Sequence, residues 1–166
     1  MLRRTPNLPA ALALAALLAA CTLPGHATES RVLLKTTRSW DGKPYPPYGN
    51  RQPEITVLRI VIPAHSTLAW HHHPVINAAY VQQGALTVEK RGDDGKPGDM
   101  CSIGAGEVLP ELVDQVHRGY TGAEPATLIV FYAGTEGGDI TVPDVLPAEA
   151  IPAQRAAPCR ERPSRT

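Results

Sequence analysis

Imidazoles are the residues here whose spacing could do chemistry. His71, His72 and His73 stand in a row after Trp70. If they lie on a strand, alternate side chains share a face, so His71 and His73 point together and His72 points away. Two neutral imidazoles on one inward face can hold one divalent transition ion, whether iron, manganese, nickel, copper or zinc. Two ligands seldom suffice, and the third candidate is His117, which closes the run "ELVDQVH" with Glu111, Val113 and Gln115 at its parity. Glu111 is thereby a candidate fourth ligand or general base, set against a plain hydrogen-bonded carboxylate at the rim of the fold. A second reading makes the histidines ordinary hydrogen-bonded polar residues of a strand. His72 is expected to face solvent, and His65 in "PAHS" to belong to a turn.

Short β-rich runs divided by turn residues must position these groups. "EITVLRIVIP" is rich in β-branched residues, with Leu58, Ile60 and Ile62 on one face and Arg59 on the other. "INAAYVQQG" and "ALTVEKR" read as a half-buried hairpin around Gly84. "GDDGKPG" is a turn, and "PATLIVFYAG", apolar on both faces, reads as a buried strand. Many short strands without intervening helices predict an all-β sandwich or barrel over residues 54–142. Residues 28–53 are expected to supply a strand and the proline-rich loop "DGKPYPPYGN", where Trp40, Tyr45 and Tyr48 either pack over a barrel end or form one lip of a pocket. Residues 143–166, rich in Pro, Ala and Arg, are expected to be a disordered tail.

The same residues resemble the two motifs of the cupin superfamily, small antiparallel jelly-roll barrels. The first is Gly-x5-His-x-His-x3,4-Glu-x6-Gly; His71, His73 and Gly84 fall on it, His65 stands at the opening glycine, and Asn77 takes the glutamate's place. The second is Gly-x5-Pro-x-Gly-x2-His-x3-Asn. Gly104 and Pro110 match, the inner glycine is missing, His117 comes two residues late, and Thr121 replaces the asparagine. The resemblance spans residues 55–134. It implies a cupin barrel with His71, His73 and His117 as metal ligands and Asn77 at the fourth position, as a weak ligand or an outer hydrogen bonder. A one-residue slip would turn His117 to the outer face. The function implied is a metal-dependent enzyme acting on a small organic molecule, oxygenase- or isomerase-like, with Tyr80 or Glu111 as proton carriers. The alternative is a non-catalytic cupin module that binds a metal or a small molecule in the cell envelope. Pairing of sheet edges would also allow a homodimer.

The N-terminus reads as an export signal over residues 1–27: Arg3 and Arg4, then an apolar core from Ala10 to Ala20, too short to span a bilayer comfortably. "LAAC" resembles a lipobox, which would lipidate Cys21, while "GHA" at 25–27 fits ordinary signal cleavage. The expected location is therefore periplasmic or otherwise extracytoplasmic, with a possible lipid anchor. Processing would leave 14 basic against 16 acidic residues, a charge of −2, with no basic stripe for nucleic acid or an anionic membrane surface. It would also leave Cys101 and Cys159, free or paired, since export permits a disulfide. With Phe131 the only phenylalanine, no aromatic platform names a ligand.

Overall fold

The computed structural model describes residues 30–92, 96–144 and 156–159. Contacts divide the chain into residues 1–31 and 32–166, and the second unit forms the fold. The expected signal segment, Cys21 and both cleavage motifs lie outside the described residues. No helix occurs among the described residues.

The strands are β1 (Pro53–Ile62), β2 (His71–His72), β3 (Ile76–Gln83), β4 (Ala85–Arg91), β5 (Pro97–Gly104), β6 (Val108–Pro110), β7 (His117–Tyr120), β8 (Ala126–Thr135), β9 (Val142–Pro143) and β10 (Ala157–Pro158). One sheet has the order β1-β8-β3-β6 and the other β10-β5-β4-β7-β2-β9. The antiparallel pairs β1·β8, β2·β7, β3·β6 and β4·β5 are nested inside one another, like a single long hairpin rolled into two sheets. That nesting is the jelly roll, and it places the core between the sheets. Ile62, Val81 and Leu128 enter the core from one sheet, and Leu86, Val88 and Ile103 from the other.

Alternation explains most of this. Along β3 the odd positions Asn77, Ala79 and Val81 are buried while Ala78 and Tyr80 between them are half-buried. The hairpin expected around Gly84 does not form, because β3 and β4 belong to opposite sheets and the chain turns a corner between them. Gly84 sits at φ +74°, where a Cβ would run into the Pro125 carbonyl, so glycine is required. β8 is also not buried on both faces. Its inner side carries Leu128, Val130 and Tyr132, whereas Phe131 is 44% exposed beside Val57 of β1.

Two expectations at the edges need correction. Residues 30–52 contain no strand, only an isolated bridge between Arg38 and Pro44. Trp40 nevertheless packs into the core, with its backbone N–H donated to the Pro110 carbonyl, while Tyr48 is exposed. The tail is partly ordered: Val142–Pro143 pairs with β2, and Ala157–Pro158 runs parallel to β5. Cys101 and Cys159 form a disulfide, which pins β10 to the sheet edge. With the cysteines 58 positions apart, loop closure contributes about 4 kcal/mol in the chain-entropy picture. Residues 145–155 and 160–166 lie outside the described residues.

Candidate metal centre

His71 sits in β2, His73 just after it, and His117 opens β7. His71 and His117 are directly opposite in the antiparallel β2·β7 pair, which brings the sequence-distant ring to the other two. The ring centroids are 4.6 to 5.0 Å apart, and one ligand atom from each of the three lies within 4.8 Å of the others. The three can therefore hold one ion. His117 points inward despite its late position because the extra residues before it leave the strand. Residues 111–116 are irregular, Asp114 adopts φ +54°, and its N–H is donated to the His73 carbonyl.

Each imidazole is oriented the same way. Nδ1 of His71, His73 and His117 lies 2.8 Å from the backbone carbonyl of Ala69, Ile140 and Gln115 respectively. A carbonyl only accepts, so each Nδ1 carries the proton and each Nε2 presents a lone pair. Burial disfavours the imidazolium form: His71 titrates below its usual value, His73 is lowered to about 4 and His117 to about 3. Neutral rings with Nδ1–H fixed to carbonyls are the state a metal ligand needs.

A cavity of about 220 Å³ opens on these rings. Leu58, Ile60 and Leu68 make apolar wall, while Glu111, Tyr132 and Thr141 add polar groups. Glu111 is buried, and its Oε2 is 3.5 Å from His117 Nε2. Neither atom has a hydrogen-bond partner among the described residues. Burial raises the Glu111 carboxyl to about 8. The Tyr132 ring stands edge-on to His73 with centroids 5.5 Å apart, and burial, then the nearby Glu111, raises its hydroxyl above the usual value.

The remaining sequence candidates are placed as follows. Glu111 faces the cavity, but not through parity with His117, since residues 111–116 are irregular. Its N–H is donated to the Asn77 carbonyl, one rung beyond Ala78↔Pro110. Asn77 is buried beside it, with Oδ1 unpartnered among the described residues. Tyr80 as a proton carrier does not fit, because it alternates with Ala79 and Val81 onto the outer face of its sheet. Gln115 accepts from Lys43 Nζ at 2.7 Å and contributes only its carbonyl to the site. His72 is half-buried and pairs across to Val142; His65 is an exposed turn residue at φ +53°. Thr121 clamps a turn instead, donating its hydroxyl to the Pro63 carbonyl.

Tyr132, Thr141 and the three orienting carbonyls were missed at the sequence level. Tyr132 lies in a run with no polar alternation to reveal its face. The Ile140 carbonyl comes from a segment with no motif.

A metal fits this donor set on two counts: three oriented lone pairs, and buried oxygen and nitrogen acceptors without donors. No family model matches the sequence, and no curated protein does. Solved structures similar in shape include a DMSP lyase from Ruegeria pomeroyi, at TM-score 0.48 and 17% identity over 57% of this chain and 45% of its own. A cupin-like protein from Thermotoga maritima aligns at TM-score 0.45 and 16% identity over 54% of this chain and 63% of its own. An oxalate oxidase aligns at 0.44 and 22%, over 53% and 45%. The chain thus spans less than half of the lyase. The fold rests on its own nested strand pairs, and the neighbours of this jelly-roll barrel are cupin-fold proteins.

Proposed function

We propose that this chain binds a divalent transition metal on His71, His73 and His117 and acts with it on a small organic molecule outside the cytoplasm. The observation that carries the reading is the matched orientation of the three rings, each with Nδ1 on a backbone carbonyl and Nε2 free for the ion. Such an ion would supply Lewis-acid polarisation of a chelating oxygen, or a site for dioxygen. The chain's own residues do the rest. Leu58, Ile60 and Leu68 exclude water from one side of the cavity, and its volume of about 220 Å³ admits only a small ligand. Tyr132, whose hydroxyl holds its proton more tightly than usual, is a donor to a bound oxygen rather than a base. The disulfide supports an extracytoplasmic location, since reducing compartments keep thiols apart.

Elemental analysis of the purified domain beside His71→Ala/His73→Ala tests the centre. Metal in wild type and none in the double variant is expected; no metal in either after supplementation would remove the reading. With metal present, oxygen uptake and product analysis over a panel of flavonols, diketones and thiols test turnover. Binding without turnover is the second reading. It is favoured by Tyr80 lying on the outer face, which leaves Glu111 and Tyr132 as the titratable cavity groups besides the imidazoles. Thermal shifts with metabolites, in a protein that turns nothing over, would select it.

A further inference from the structure

We propose that Glu111 is the fourth ligand, so that the carboxylate completing the three-histidine centre comes from the residue opposite Asn77 rather than from Asn77 itself. The inference rests on the metal-binding reading above. Its first support is register. β3 and β6 pair at Ala78↔Pro110, and the Glu111 N–H continues the ladder to the Asn77 carbonyl. Residues facing each other across an antiparallel pair have Cβ atoms about 5 Å apart, so a carboxylate at position 77 would start about 5 Å from the one at position 111.

The second support is the meeting of Glu111 Oε2 and His117 Nε2 at 3.5 Å. That is too long for an O–H···N hydrogen bond, and neither atom has another partner among the described residues. Because His117 Nδ1 carries the ring proton, Nε2 offers a lone pair, and an ionised Glu111 oxygen beside it would be a second acceptor with no donor between them. Two ligands bound to one ion at about 2.1 Å each are separated by about 3.0–3.5 Å, which is the spacing found. Glu111 is 7% exposed, and nothing else among the described residues answers its Oε2. A cation between the two atoms takes the place of the carboxyl proton, which leaves to solvent, and both atoms become its ligands. Ligation by Glu111 also lowers the charge of the centre by one, leaving the Asn77 amide as a neutral neighbour.

The test is Co²⁺ titration of wild type, Glu111→Gln, and the exchange Asn77→Glu/Glu111→Gln, read by affinity and by visible absorption. Loss of an outer hydrogen bonder costs about 10–100-fold in affinity. Loss of a ligand is expected to cost at least the upper end of that range and to alter the Co²⁺ bands. The exchange variant, which returns the carboxylate to the neighbouring strand, is expected to recover affinity and bands, and it also guards against a folding defect. Glu111→Gln that binds Co²⁺ with unaltered bands overturns the role of Glu111 and leaves the histidine centre standing. Wild type that binds no Co²⁺ overturns both.

Discussion

Glu89 and Glu111 are both buried carboxylates, and the barrel answers them differently. Glu89 in β4 is fully buried and meets Arg118 Nε at 2.9 Å, while the Arg118 guanidinium lies 4.4 Å from the Trp70 ring centroid. Its charge is neutralised by the chain itself. Glu111 faces three imidazoles that burial keeps neutral, and its Oε2 meets no donor among the described residues. A buried carboxylate supplied with a cation belongs to the architecture; one placed among lone pairs is set for a cation from outside. The difference separates the wall of the barrel from its chemistry.

The strongest challenge to that contrast is stability. Arg118→Ala strands Glu89 and is expected to cost about 3–5 kcal/mol in denaturant unfolding. Glu111→Gln in the metal-free protein is expected to cost less than about 1 kcal/mol, or to stabilise, because Oε2 has no hydrogen bond to lose and the amide does not ionise. Equal losses would erase the distinction.

Metal sharpens it next. An ion at a hundred times its dissociation constant is expected to stabilise the native protein by about 2.7 kcal/mol, seen as a raised Tm. The same addition is expected to do nothing for His71→Ala/His73→Ala. A shift that survives the double substitution would place the ion elsewhere.

The dependence on pH is smaller and has a defined sign. Glu111 is raised from an ordinary 4.5 to about 8 on folding, so its contribution is full below 4.5 and is lost as pH climbs towards 8. His73 and His117 are lowered from 6.5, so theirs is full above 6.5 and is lost as pH falls through about 4 and 3. The metal-free Glu111→Gln variant is therefore expected to gain on wild type between pH 5 and 8. A constant gap across that window would show that Glu111 is not the group responsible.

The smallest effect is expected from Tyr80→Phe. On the outer face of β3 it is expected to change stability by no more than about 0.5 kcal/mol and to leave metal uptake untouched. Altered metal content there would mean that the face assignment of β3 is wrong.

Much of the architecture was legible because alternation is a local property. The β-branched run of β1 and the corner glycine at 84 each mark an element without knowledge of its partner. Which sheet an element joins is not local, and so β3 and β4 read as a hairpin although they belong to opposite sheets. The Cys101–Cys159 bond was similarly open, since no spacing rule could say that a proline-rich segment returns to the edge of β5. Within the site, the His-x-His spacing put two rings on one face, and the third histidine was identifiable by type.

The sequence by itself determined the β-rich pattern, the inward pair His71 and His73, and the pool of donors from which a centre could be made. Only the tertiary structure decided that His117 faces His71 and that Glu111 lies against the imidazoles. It also decided that Tyr132 rather than Tyr80 enters the cavity. Those outcomes depend on register between strands far apart in the chain and on the irregular turn through Asp114, where parity counting no longer applies. Alternation says which side chains share a face, but only the packed partner strand says which face is the inside.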